Sequence, residues 1–155
     1  MWPFKRKTST PTHASFPVGS YRLGMRLNNP HELSEFTSED YAVFGRNFRG
    51  QVNYHAPPVT FLDMTWKLML GTVNGEIYKL APYLEFQSKD EANKATWTAL
   101  SHCSAELGEP SQQKTGLFIW DTTDGNVILQ TAEAADGFAV NIFVTSSAVR
   151  SYERL

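Results

Sequence analysis

The sequence predicts an α+β fold: a mostly antiparallel sheet of about five to six strands, with one long helix packed on a face. Three observations carry this. A strand pair closes on Asn74-Gly75, one long helix is bracketed by Ser88 and Gly108, and a three-strand meander follows, with Asp-Gly in both of its turns. Two runs of strands around a single helix favour antiparallel pairing, since a parallel sheet needs a crossover at each step. No internal repeat is evident.

Residues 1–20 read as a flexible basic N-terminal tail, and residues 21–155 as a single α+β domain. Tyr21-Arg-Leu-Gly-Met-Arg-Leu27 alternates well enough for a short strand. Short helical turns follow in the N-terminal part. Asn29 suits an N-cap, Pro30 the first helical position and Glu32 a capping box, which predicts a turn from His31 to Phe36. Ser38, Glu39 and Asp40 open a second turn through Tyr41 and Phe44, stopped by Gly45. Phe48, Val52 and Tyr54 suggest extended chain, Pro57-Pro58 a break, and Val59 to Leu62 the approach to the next strand.

Thr65–Val73 and Glu76–Leu80 form a hairpin across Asn74-Gly75, a dipeptide that supplies both positive φ values of a type I′ turn. Strict counting from that turn places Val73 opposite Glu76, Gly71 opposite Tyr78 and Met69 opposite Leu80. Pro82 lacks an N–H, so the second strand should meet an edge, a bulge or a break there, before Tyr83–Phe86. Ser88-Lys-Asp-Glu91 is a capping box for a helix over 89–107, which Gly108 ends and Pro110 keeps from resuming. Its inward stripe is Ala92, Thr96, Ala99, Leu100, Cys103 and Leu107, mostly small, which suits a sheet that provides the large side chains. The meander comprises 116–121, 126–130 and 138–144, with Phe138, Val140, Ile142 and Val144 pointing inward. Thr145, Ser146 and Ser147 offer caps for a final helical turn over 148–152.

Composition narrows function mainly by exclusion. At 155 residues with 41% hydrophobic side chains, the chain has apolar surface enough for one core and is not disordered. Residues 1–22 carry Lys5, Arg6, Lys7 and Arg22 and no acid, a charge of +4, whereas 23–155 hold 10 bases and 16 acids, or −6. A body of that sign repels a phosphate backbone, so no nucleic-acid partner is expected. Trp2, Phe4 and Lys5 to Lys7 offer at most a weak contact with an acidic surface. The polar stretch after them lacks the about 7–15 apolar residues of a secretory signal. With no run long enough for a bilayer, this predicts cytoplasmic residence without stable membrane insertion.

Chemistry is scarce. There is no P-loop, no dinucleotide-binding glycine motif and no nucleophile elbow. His13, His31, His55 and His102 are not paired at i+3 or i+4 with another His or Cys, so no metal or other cofactor is expected. His102 should be an exposed helix residue. Cys103 cannot form an internal disulfide and sits near the helix C-terminus, where the dipole disfavours a thiolate, so it reads as buried and inert. Asp121 with Asp124, and Glu39 with Asp40, are explained by turn and helix-start chemistry.

The aromatics remain. Trp66, Tyr78, Tyr83 and Trp120 lie on strands, and Leu117 and Ile119 alternate with Phe118 and Trp120, so both faces of the meander are apolar. The small helix stripe should dock on Phe118 and Trp120, leaving Leu117 and Ile119, beside Val127 or Ile128, beneath a lid formed by residues 21–62 or at an interface. The expected function is therefore a non-catalytic protein-binding module acting through a sheet surface. It would act by self-association or by neutralising a partner, as an inhibitor or immunity protein does. Its candidate residues are Trp66, Tyr78, Tyr83, Leu117, Ile119 and Trp120. The alternative is a small-molecule-binding protein or enzyme with an aromatic-lined cavity between sheet and helix.

Overall fold

The computed structural model describes residues 16–27, 32–36 and 47–155. It is an α+β domain with a single antiparallel sheet. The strands are β1 (Ser34–Phe36), β2 (Gln51–Phe61), β3 (Met64–Val73), β4 (Glu76–Phe86), β5 (Gln112–Lys114), β6 (Leu117–Thr122), β7 (Gly125–Ala134) and β8 (Gly137–Ser146). Helix α1 spans Lys89–Leu107, and a short 3-10 helix, Ser147–Ser151, follows β8. Spatial order is β1-β2-β3-β4-β8-β7-β6-β5, eight strands rather than five or six. Two four-strand meanders thus meet at β4 and β8, and α1 carries the chain from the middle of the sheet to its far edge.

The helix has its expected bounds. Ser88 Oγ accepts from the Glu91 backbone N–H at 3.1 Å, and the Ser88 hydroxyl bonds the Glu91 carboxylate at 3.2 Å. Gly108, at φ 80, ends the helix and donates its N–H to Ser104 O. The buried stripe is Ala92, Ala95, Thr96, Ala99, Cys103 and Leu107, with Leu100 partly buried. It rests on Phe118, Trp120, Val127, Leu129, Val140 and Ile142. The Trp120 indole N–H donates to Gly108 O at 2.8 Å, tying the helix end to β6.

Several N-terminal expectations are corrected. Ser34–Phe36 is a strand, not part of a helical turn: it pairs with β2 through Ser34↔His55 and Phe36↔Asn53. The turn expected over 38–44 lies outside the described residues. Tyr21–Leu27 forms isolated bridges rather than a strand. Its backbone occupies the stretch of β4 edge that β8 leaves open. Gly24 N donates to Ile77 O at 2.8 Å, Ile77 N to Met25 O at 2.9 Å and Leu27 N to Gly75 O at 2.9 Å. Phe16 and Val18, just upstream, are 4% and 0% exposed and belong to the main core with Trp66, Leu68 and Leu70. Residues 16–27 therefore cover the first meander on the same face that α1 covers on the second. They do not lie over Leu117 and Ile119, where a lid was expected.

Two strands pass through their prolines. Pro57-Pro58 does not break β2. The register shifts by one residue between Ala56 and Val59, and that bulge absorbs the two missing donors. The chain then turns at Leu62-Asp63, both at positive φ, giving a second hairpin that carries no Asn-Gly or Asp-Gly signature. Pro82 sits inside central β4. The β4–β8 ladder skips from Leu80↔Val144 to Tyr83↔Asn141 across it. A bulge also falls between Gly71 and Thr72, so Gly71 faces Lys79 and Met69 faces Ala81, in place of Tyr78 and Leu80.

Asn74 and Gly75 have φ of 52° and 84°. Gly75→Val should cost about 1–3 kcal/mol, because a β-branched residue resists that region. An unfolding midpoint equal to wild type would contradict the turn. Phe16→Ala should cost about 3 kcal/mol, as for a buried aromatic truncation. A urea-denaturation change near zero would remove residues 16–27 from the domain.

Candidate functional site

One face of the sheet is occupied by α1 and residues 16–27, and the other is partly open. Its side chains fall into rows across the strands. Ile119, Ile128 and Phe143 make one row. Leu117, Gln130, Asn141 and Tyr83 make the next. Ala132, Ala139 and Glu85 follow on one side, and Asp121, Asn126, Thr145 and Lys79 on the other.

The two ends of this face differ. Toward the first meander it is partly filled. Met69 and Ala81 are buried against Phe36, Tyr83 and Phe143. Phe48, Val73 and Tyr78 form a second cluster with Val149 and Tyr152 of the C-terminal segment. Here Gln51 acts as a hub: its Oε1 accepts from the Asn47 and Phe48 N–H groups, and its Nε2 donates to Asn53 Oδ1 at 3.0 Å and to the Tyr78 hydroxyl at 2.9 Å. Toward the second meander, Leu117, Ile119 and Ile128 are each partly exposed and join none of the described core clusters.

Charge on the face is sparse. Lys67 Nζ bonds Glu85 Oε1 at 2.7 Å, and this hydrogen bond raises the Lys67 pKa. Lys79 Nζ lies 5.0 Å from the centroid of the Phe143 ring. The ring quadrupole favours the ammonium, but burial outweighs it and pushes the Lys79 pKa down to about 8. The Asn126 Oδ1 is buried and has no hydrogen-bond partner among the described residues.

The residues expected to bind divide in two. Trp66, Trp120 and Tyr78 are 0%, 1% and 3% exposed. Trp66 donates its indole N–H to Phe61 O at 2.9 Å, so both tryptophans fill the core with their polar atoms satisfied. Tyr83, Leu117 and Ile119 lie on the open face and remain partly exposed. Ile128 and Phe143 complete that surface. Sequence alternation offered Val127 or Ile128 beside Leu117 and Ile119, and put Phe143 on the face away from Val140 and Ile142; the register selects Ile128. Trp97 was missed. It is 63% exposed on the outer side of α1, beside an open groove of about 470 Å³ lined also by Gln113, Lys114 and Phe118. Its position off the buried stripe was the available signal.

Among the described residues, no three His, Cys, Asp or Glu side chains converge as a metal ion would require. Cys103 is buried, and desolvation followed by the nearby Glu106 charge pushes its thiol up to about 12. His102 is not simply exposed: its Nε2 lies 3.0 Å from Asp63 Oδ2, linking α1 to the β2–β3 turn. Asp124 accepts from the Thr122 hydroxyl at 3.0 Å, a turn contact. No described helix is long and apolar enough to cross a membrane. Comparison with protein-family models, curated proteins and solved structures finds no match to this chain.

Lys79 makes the face sensitive to pH. Between about 8 and 10.5 the folded amine binds fewer protons than the unfolded one, so stability should rise with pH across that window. Tyr78 acts in the opposite sense. Burial raises its hydroxyl, so that contribution is present below 10.0 and is lost as pH climbs past the folded value. Denaturation at pH about 7.5 and about 9.5 should show the higher stability at the second. Lys79→Met should turn the rise into a fall, because the raised Cys103 thiol and Tyr78 hydroxyl then leave only contributions that are lost as pH rises. A wild-type profile that falls over this range would contradict the burial of the amine.

Proposed function

We propose that this chain is a non-catalytic protein-binding module that acts through the open face of its sheet. The observation that supports it is the surface made by Leu117, Ile119, Ile128 and Phe143. These side chains are contiguous, partly exposed and apolar, and Leu117, Ile119 and Ile128 belong to no described core cluster. Apolar patches of that kind on soluble domains mark contact sites more often than chance would place them. Strands also hold such a surface rigid, which lowers the entropic cost of association.

Charge argues against one form of this reading. A module that neutralises a basic partner would present its acids at the contact. Here Asp90, Glu91, Glu106 and Glu109 lie on or beside α1, on the other side of the sheet. Cytoplasmic residence belongs to the same proposal, and a single buried Cys103 without a disulfide suits a reducing compartment. The groove beside Trp97 favours a second reading, a small-molecule site at the rim between helix and sheet.

Ile119→Asp tests the first reading. Ile119 is not part of the core, so circular dichroism should be unchanged and the melting temperature within a few degrees of wild type, at a cost of about 1 kcal/mol or less. The surface property should change: light scattering should report a smaller assembly, or a monomer should lose fluorescence of the apolar dye ANS. A variant with the mass and dye response of wild type would sink the sheet-face reading.

A further inference from the structure

Resting on the second reading, a small-molecule site at the rim between helix and sheet, we infer that the groove beside Trp97 binds a planar aromatic carboxylate of one or two rings. The shape of the groove, its charge and its unused polar groups point to that class. Trp97 leaves α1 on the side of the β5–β6 hairpin and is 63% exposed. Trp66 and Trp120 are buried with their indole N–H groups bonded, whereas the Trp97 ring meets water and makes no hydrogen bond or ring contact among the described residues. Phe118, 6% exposed, floors the groove, and the Thr115-Gly116 turn walls it. Gly116 holds a φ of 71°, and its carbonyl accepts from the Thr131 N–H at 2.9 Å, so the wall is anchored to β7. About 470 Å³ between an open indole face and a fixed wall suits a flat ring, which stacks on the indole.

Charge selects an anion. Residues 23–155 carry −6, yet both sides of this groove are free of acids: residues 92–105 of α1 contain Lys94 and His102, and residues 110–120 contain Lys114. Asp90 and Glu91 precede Trp97 by at least six residues and Glu106 follows it by nine, so α1 keeps its acids about 9 Å or more along its axis from the ring. His102 is engaged with Asp63 at the β2–β3 turn. Lys94 lies one turn before Trp97, where helix neighbours meet, and Lys114 lines the groove from β5. Lys114 starts level with Leu117 on the open side, but β5 is the last strand, so its flexible stem can bring the ammonium round the edge. Neither lysine has an ion pair among the described residues. Gln113 stands opposite Phe118 and shares the helix side with it. The Gln113 carboxamide and the Thr115 hydroxyl have no side-chain partner among the described residues and can donate to a carboxylate. A cationic ring would meet two ammonium groups here and no carboxylate, and an aliphatic acid would leave the indole face unstacked.

Titration of the isotope-labelled full chain with naphthoate, read by NMR on the indole N–H signals, tests this. The Trp97 signal, assigned with Trp97→Phe, should shift saturably with a Kd of about 1 mM, the strength of a small half-exposed ligand. The Trp66 and Trp120 signals should stay in place, since both N–H groups are held by backbone carbonyls. Naphthylmethylamine, with the same rings and the opposite charge, and cyclohexanecarboxylate, with the same charge and no aromatic ring, should each bind about fivefold more weakly or less. Lys94→Gln combined with Lys114→Gln should weaken naphthoate about fivefold, as two exposed ion pairs would. Both lysines are exposed, so the fold should survive the change. An amine that binds as tightly as naphthoate, or a double variant with unchanged affinity, overturns the anion while the small-molecule reading stands. Equal binding of cyclohexanecarboxylate overturns the aromatic class in the same way. No shift of the Trp97 signal with any of the three probes at about 10 mM overturns both the ligand class and the small-molecule reading.

Discussion

One extra residue in β4 determines which side chains this sheet buries. Side chains of a strand alternate between faces, so residues three apart point to opposite sides. Ile77 and Leu80 are three apart, yet both belong to the core beneath α1 and residues 16–27. The bulge opposite Gly71 and Thr72 makes this geometry available. It sends Tyr78 and Lys79 together to the open face and restores Leu80, Leu84 and Phe86 to the helix side. Without it, Lys79 would enter the apolar layer while Leu80 faced outward. Burying an unpaired ammonium there would oppose folding far more than losing a ladder hydrogen bond does. The bulge at Pro57-Pro58 does the same for β2, keeping Ala56 and Val59 on one side although they too are three apart. Matched irregularities in neighbouring hairpins let the first meander stay in phase with the second.

These two bulges also mark where the sequence stopped being readable. In β6, β7 and β8 no residue is inserted, so alternation alone assigned Phe118 and Trp120 inward and Leu117 and Ile119 outward. The helix was legible for a different reason: its start and stop depend on local chemistry, a Ser88 hydroxyl and a Gly108 at positive φ, which needs no knowledge of the partner strand. Strands β1 and β5 are three residues long and exist only because a neighbour pairs with them. Leu62-Asp63 reaches positive φ without glycine or asparagine, so turn residues could not announce it. Trp66 lies on β3 beside the Ala56–Val59 bulge, so its face depended on a register the sequence did not show, whereas alternation already placed Trp120 inward. Their burial turns two candidate contact residues into core.

The layer under the helix is built from unequal parts. Ala92, Ala95, Ala99 and Cys103 bring little volume, so α1 lies close to the sheet and the indoles and leucines of the strands fill the space. Polar groups inside this layer are paired. The Thr96 hydroxyl accepts or donates to Thr131 at 2.5 Å, and both indole N–H groups reach backbone carbonyls. A layer so filled leaves α1 and residues 16–27 little freedom to move away from the sheet, because either would expose Trp66 or Trp120 to water.

That rigidity bears on what the opposite face can do. A lid that opened and closed on the helix side would have to expose Phe16, Val18 or the α1 stripe, all buried in the main core. The face bearing Leu117, Ile119 and Ile128 is instead a fixed surface whose backbone is already hydrogen-bonded through neighbouring strands on both sides. An occupant would gain no main-chain pairing there, since that requires a free edge. It would have to match side-chain relief and polarity: two isoleucines and a phenylalanine beside two carboxamides, with Asp121, Lys79, Glu85 and Lys114 around them. A surface whose centre is uncharged discriminates there by shape more than by charge. Relief and amide placement, rather than charge, are therefore what the centre of this face offers to a contact.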